Sequence, residues 1–251
     1  MIVAAMDTTS SQLRTLGLIG GMSWHSTATY YRMINESVAA QVGGHASASI
    51  ALQSMNFAEI RDCQIREDWA RAADLLTEAA QRCVAGGAET LAICTNLMHK
   101  VAPQVEEVVD IPLLHIGDAV AAQATSNEWG TLGILATQWV MDESFYEARL
   151  KEHGIDTVMP DPSDRRMVDQ IIWDELTRGV IREESRRTYV EVIDDLADRG
   201  AEAVVLACTE IGLLIEPEHS PIPIIDSAVA HAEALASVAL LPDGSAERNN
   251  S

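Results

Sequence analysis

The chain predicts an α/β fold of two similar lobes, each a mostly parallel sheet flanked by helices, related by pseudo-two-fold symmetry. Three observations carry this. Short aliphatic or β-branched runs alternate with longer amphipathic stretches, the pattern of βα units around a parallel sheet. Gly87-Ala88-Glu89-Thr90-Leu91 returns as Gly200-Ala201-Glu202-Ala203-Val204, and the step from 87 to 200 is an offset of 113. Two further echoes pair Thr15-Leu16-Gly17 with Thr131-Leu132-Gly133 and Ile111-Pro112 with Ile222-Pro223, at offsets of 116 and 111, as small loop insertions would give.

The first lobe, 15–117, takes strands at 15–19, 48–52, 90–93 and 113–116, with a helix over 68–85. The second, 118–225, takes strands at 131–135, 157–159, 203–207 and 222–225, with helices over 142–152, 165–178 and 182–199. These helical stretches carry apolar residues at helical spacing with charges on the remaining face. Each copy of the repeat reads as a helix ending in glycine, then a buried strand. The segment 226–241 supplies a last helix expected to pack back on the first lobe. The polar or weakly patterned ends, 1–14 and 242–251, are expected to be flexible.

With 251 residues, 47% of them hydrophobic, the chain can bury a substantial core. A formal net charge of -21 argues against nucleic acid or an anionic membrane as partner, since both polyanions select for basic patches. No run approaches the roughly 20 apolar residues of a membrane span, and residues 1–12 lack a basic n-region and an apolar h-region, so the expected location is cytoplasmic. The four cysteines, Cys63, Cys83, Cys94 and Cys208, show no CxxC spacing and read as free thiols, each either packing or chemistry. His115, His219 and His231 show no metal-ligand spacing with each other or with the cysteines, so no metal is expected, and no GxGxxG or Walker pattern follows Gly20-Gly21.

Carried forward, the offset of 113 pairs Thr95 with Cys208 and Asn96 with Thr209, each just after a predicted strand. Ligands of open α/β sheets bind at such strand ends. Two proton-exchanging groups on opposite sides of one small molecule are what inversion of a carbon centre requires. A thiol suits that task because its pKa, about 8.5, can be moved by its surroundings; a threonine hydroxyl suits it less. A buried cysteine is often only a small hydrophobe, but Cys208 ends a strand, precedes Thr209-Glu210 and is matched by the repeat. Gly20-Gly21-Met22 ends the first strand and would let the backbone approach a ligand closely. His99 reads either as a hydrogen-bonding group of the cleft or as a satisfied core histidine.

Leu16-Gly17-Leu18-Ile19-Gly20-Gly21-Met22-Ser23-Trp24, continuing to Tyr30-Tyr31-Arg32 and Ile34-Asn35, resembles the N-terminal signature of the aspartate/glutamate racemase family. Thr95-Asn96-Leu97-Met98-His99-Lys100 and Cys208-Thr209-Glu210-Ile211-Gly212-Leu213-Leu214 resemble its two catalytic strings, and the likeness runs from about Leu16 to about His231. The resemblance implies two lobes enclosing a small, acidic amino acid, no cofactor, an opposed acid and base, and a homodimer. It implies Cys208 as the second-lobe thiol, and the expected substrate-binding set is Met22, Gln53, Asn96, Leu97, Thr209 and Glu210, with Arg166 added as a neighbouring cation.

The chain departs from the family pattern at three places. The usual first string is Cys-Asn-Thr, whereas here Cys94-Thr95-Asn96-Leu97 puts either Cys94 or Thr95 in the catalytic place; the repeat register and the subgroup reading Cys-Thr-Asn-Thr favour Thr95. Leu97 replaces a threonine that helps hold the α-carboxylate. Met167 replaces a lysine before the helix of Gln170-Ile171-Ile172, with Arg165 and Arg166 beside it as substitute cations. These departures predict slow or direction-biased racemisation. They also leave open a diacid cis–trans isomerase, a malonate decarboxylase, or a ligand-binding homologue that has lost one base.

Overall fold

β1 (Leu16–Gly20) is buried at every position and forms the centre of the first sheet. β2 (Ile50–Ser54) and β3 (Thr90–Ile93) flank it, both parallel, with Leu16 opposite Ile50 on one side and Thr90 on the other. This computed structural model describes residues 13–241, so the expectations for 1–12 and 242–251 lie outside the described residues. The strand expected at 113–116 reduces to one parallel bridge, Leu91 to Leu113. It stops there because His115 caps α5 (Ile116–Ser126), its ring accepting from the Gly117 N–H, and Ile116 already belongs to the helix.

The second sheet has the order β5-β4-β6-β7, the first β2-β1-β3. Its strands are β4 (Thr131–Leu135), β5 (Asp156–Val158), β6 (Ala203–Leu206) and β7 (Ile224–Asp226), again all parallel. With the Leu113 bridge standing beside β3 as β7 stands beside β6, the two sheets share one order. Equivalence reaches single hydrogen bonds. The Glu89 N–H donates to Thr15 O at 2.8 Å and the Glu202 N–H to Thr131 O at 2.9 Å; Cys94 N–H donates to Ile19 O at 2.9 Å and Ala207 N–H to Leu135 O at 2.8 Å. A Cβ on Gly17 would lie 2.8 Å from the Ala88 Cβ, and one on Gly133 3.4 Å from the Ala201 Cβ, so a covering segment presses on each central strand at the same place.

α3 (Trp69–Ala85) covers the first sheet with Ala72, Leu76, Ala79, Ala80 and Cys83, spaced three and four apart, and the Asp68 side chain caps it by accepting from the Arg71 N–H. The predicted helix over 142–152 is α7 (Ser144–Glu152), and a separate short helix, α6 (Gln138–Asp142), precedes it because Glu143 between them is extended at φ -102° and ψ 149°. The one over 165–178 is α8 (Pro162–Asp174) followed by a 3-10 turn, Leu176–Arg178. α9 (Glu183–Asp198) covers 182–199 closely. α5 was not anticipated as a helix, nor were α1 (Trp24–Val42), α2 (Phe57–Arg66) and the short α4 (Ala102–Glu106).

α10 (Ser227–Ala239) leaves β7 directly, with the Asp226 carboxylate accepting from the Ala228 and Val229 N–H groups at 2.9 and 3.1 Å. Its Ala228, Ala232, Leu235, Ala236 and Ala239 enter a buried cluster with Leu16, Leu18, Tyr30, Ile34 and Val38 of the first half. No helix among the described residues is long and apolar enough to cross a membrane.

Candidate active site

The carboxyl ends of the central strands of both sheets open on one cavity of about 880 Å³. β3 delivers Thr95, Asn96 and Leu97 to its wall, β6 delivers Ala207, Cys208, Thr209 and Glu210, β1 delivers Met22, and β4 delivers Thr137. Alternation along the extended chain separates Cys94 from Thr95. Cys94 is fully buried among Leu16, Tyr30 and Leu235, on the side away from the cavity, and burial pushes its thiol far above the usual value. Thr95 lines the cavity.

At the end of β1 the backbone must turn sharply. Gly21 has φ +86°, and a Cβ there would stand 2.2 Å from the Met55 carbonyl oxygen, so no larger residue fits. The turn is held by Thr27, whose hydroxyl accepts from the Gly21 N–H at 2.8 Å and donates to Ser23 O at 2.9 Å. Ser23 caps α1, and the first turn of that helix thereby reaches the second-half string. Thr209 spends its one hydroxyl hydrogen on Glu210 Oε2 at 2.7 Å, so Ser26 must be the donor in its 2.7 Å contact with Thr209. Ser23 Oγ also donates to Glu210 Oε1, at 3.5 Å.

Cys208 is half-buried, and its thiol donates to Glu210 Oε2 at 3.2 Å. Burial, then the negative charge of Glu210, push its pKa well above the usual value, so the resting group is a thiol with a carboxylate as nearest acceptor. Cys63, Cys83 and Cys94 are buried. Alkylation of the native protein is therefore expected at Cys208 alone, slow near neutrality and faster in alkali. Glu210→Gln should move that rate profile to lower pH, because the like charge opposing the thiolate is gone. Peptide mass mapping against pH checks both, and a profile unmoved in the variant would remove Glu210 as the partner of the thiol.

Asn96 is buried, and its Nδ2 donates to Ser227 Oγ at 3.0 Å, while Ser227 donates onward to Leu206 O at 2.8 Å. That chain leaves Asn96 Oδ1 without a protein partner, as is Thr137 Oγ1, and both residues line the cavity. Buried polar atoms are nearly always hydrogen-bonded, so these two are unsatisfied polar groups beside the cavity. His99 is a satisfied core histidine: its Nδ1 donates to Thr95 O at 2.8 Å and its Nε2 accepts from the Ile116 N–H at 3.1 Å, which steadies the Thr95 main chain.

Of the substrate-binding set expected from the sequence, Met22, Asn96, Leu97, Thr209 and Glu210 line the cavity, whereas Gln53 and Arg166 do not. Gln53 lies on β2, an edge strand of its sheet, opposite Ile19, and Arg166 is on the exposed face of α8. Thr137 and the α1 residues Trp24, Ser26 and Thr29 belong to the wall and were missed. The repeat held a signal for Thr137, since the offset of 116 places it opposite Gly21 at the end of β1.

Two like parallel sheets with strand ends closing on one cavity, a thiol at the end of one and a hydroxyl at the matching place of the other, define a two-lobed α/β protein built around a small-molecule cleft. The chain belongs to the Asp/Glu/hydantoin racemase family, whose sequence model matches residues 19–235. It is similar to a crystal structure from Yersinia pestis proposed to be an Asp/Glu racemase, with 45% identity, a TM-score of 0.88 and coverage of 91% of this chain and 100% of that one. An aspartate racemase homologue from Pyrococcus horikoshii OT3 is 28% identical, with a TM-score of 0.80 over 90% of this chain and 99% of that one. A glutamate racemase of Persephonella marina is 27% identical over 178 residues, and the match spans 68% of this chain and 66% of the length of that relative.

Proposed function

We propose that the chain is an amino-acid racemase that exchanges the α-hydrogen of its substrate between Cys208 on one face and Thr95 on the other. The observation that carries this reading is the equivalence of the two positions. The main-chain bonds of Cys94 and Ala207 put Thr95 and Cys208 at the same step of two like sheets, and both line one cavity. Family membership supports the reaction class, while acidic substrates are favoured by the similarity to proteins named for aspartate and glutamate.

In one direction Cys208, after passing its proton to Glu210, takes the α-hydrogen. The carbon's electron pair delocalises into the carboxylate, and main-chain amides of the turns after β3 and β6, with Asn96 and Thr137 beside them, hold the anion. The Thr95 hydroxyl then protonates the opposite face and recovers its hydrogen from water, and Glu210 gives its proton to the hydroxide that remains, which restores the starting state. Every bond broken at carbon is remade at carbon, and no electron leaves the substrate. The reverse direction needs Thr95 or a water on it as base, a harder task for a hydroxyl than for a thiol.

Because enantiomers are equal in energy, kcat/KM must be the same in both directions, and the asymmetry shows as unequal kcat balanced by unequal KM. Thr95→Cys is accordingly expected to bring the two kcat values closer together, by roughly ten- to a hundredfold in the slower direction. An unchanged ratio would count against Thr95 as the opposed group. The reading as a whole is tested by incubating the protein with separate L- and D-amino acids in deuterated water, then chiral chromatography and mass analysis. A racemase places deuterium on the α-carbon of the product; inversion of no amino acid would sink the proposal.

A further inference from the structure

We propose that Arg178 reads the substrate's side chain, pairing with the distal carboxylate of an acidic amino acid; this rests on the amino-acid racemase reading above. The residues that sequence pattern offered for this purpose are elsewhere. Met167 lies outside the cavity wall, and Arg166 is on the exposed face of α8. Arg165 is committed, its Nε donating to Pro160 O at 2.7 Å and its Nη1 to Met141 O at 2.9 Å and Asp142 Oδ1 at 3.0 Å. Lys100 is paired with Glu143 and stacked on Trp69, 4.0 Å from the ring centroid. Arg61 is stacked on Trp173 at 3.9 Å and is not part of the wall.

Among the described residues lining the cavity, Arg178 is the one lysine or arginine. Local structure puts it there. α8 ends at Asp174, the 3-10 turn Leu176–Arg178 follows, and Gly179 closes it in the left-handed region at φ 71° with its N–H on Leu176 O. Glycine accepts that conformation without a Cβ penalty, so Leu176, Thr177, Arg178 and Gly179 all enter the wall in succession. The guanidinium is held only loosely. Its partner Asp174 is 3.7 Å away, and the two side chains are 68% and 55% exposed, a geometry that contributes little in water and leaves the fork free to turn onto a ligand.

Charge makes the assignment consequential. The chain carries a net -21, and Glu210 already sits in the wall. A second carboxylate carried into this cleft without a cation would lose hydration with nothing to replace it. The same wall also offers Trp24, Phe57, Ile172, Trp173 and Leu213, surfaces on which a neutral side chain rests without Arg178. The arginine is therefore the group on which the choice between acidic and neutral amino acids turns, and its planar fork suits a carboxylate bidentately.

The test follows binding and turnover together in wild type, Arg178→Gln, Arg178→Lys and Asp174→Asn. Aspartate and glutamate are titrated against methionine, a neutral side chain of similar length. Tryptophan fluorescence reports binding, since Trp24 and Trp173 line the cavity, and chiral chromatography reports turnover. Preference for the acids over methionine is expected to fall about tenfold in Arg178→Gln, to return in large part in Arg178→Lys, and to rise in Asp174→Asn, where the competing carboxylate is gone. An unchanged preference in Arg178→Gln, or a wild type that binds methionine better than both acids, overturns the assignment. Binding that depends on Arg178 with no inversion of any amino acid would uphold it and sink the racemase reading instead.

Discussion

Cys208→Ala should lower turnover about a thousandfold in both directions while the protein still binds its substrate. The two faces of the substrate are served in series, so losing either proton exchanger stops inversion whichever enantiomer is supplied. A positioned acid or base contributes roughly a hundred- to ten-thousandfold, and a thousandfold corresponds to about 4 kcal/mol of barrier. The fold has little to lose, because Cys208 is half-buried and its one side-chain bond is to Glu210. Melting temperature should hence stay near wild type while chiral chromatography records the loss, which separates a chemical role from a packing one. Cys94→Ala makes the contrast: that side chain fills the core against Tyr30 and Leu235, so stability is what should suffer there. A Cys208→Ala rate within tenfold of wild type would take the thiol out of the mechanism.

The second large effect is on stability in acid. His99, His115 and His231 are buried side by side, with ring centroids 4.3 Å apart for His99 and His115 and 5.9 Å for His99 and His231. Each is held as a neutral ring: His231 Nδ1 faces the Tyr30 hydroxyl at 2.9 Å and its Nε2 faces Leu114 O at 2.8 Å. Burial lowers all three pKa values, His115 and His231 to about 4, against 6.5 for a free ring. With folded values below unfolded ones, the unfolded chain takes up protons that the folded chain refuses. The stabilisation is complete above about 6.5 and is lost as pH falls toward about 4, by about 3 kcal/mol for each of those two rings.

Two carboxylates modify this. Burial raises Asp226, so its neutralisation in acid returns some stability. Asp118 is opposed by burial yet held below its usual range by Arg149 and His153, which extends the loss to still lower pH. Chemical denaturation at successive pH values should show the midpoint falling steeply below about 6.5, with uptake of two to three protons on unfolding. A midpoint flat down to about pH 4.5 would mean that the rings are not held neutral.

Much of this architecture was legible because the two halves write the same local chemistry twice. Gly87 and Gly200 each precede a strand, Glu89 and Glu202 each tie it to the next, and the register that pairs Thr95 with Cys208 is the register of the hydrogen bonds. α1 escaped for a physical reason: its buried positions are Ser26, Thr27, Tyr30, Ile34 and Val38, and the first turn is polar because it serves the cleft. Polar residues at the start of the helix shorten the apolar stripe to Tyr30, Ile34 and Val38. The run 113–116 looked like a strand because it is aliphatic, yet His115 caps a helix just as Asp226 does 111 positions later. Arg178 was invisible for another reason. It reaches the wall through the 3-10 turn after α8, and turns carry no period.

α10 has a consequence for how such a molecule holds together. By chain it grows from β7 of the second sheet; by packing it seals Leu16, Leu18 and Ile34 of the first. Neither half therefore owns a complete interior. With α5 leaving the first sheet for the interior of the second and α10 returning the exchange, the two halves cannot be parted without opening both, and thermal disorder entering either must reach the other.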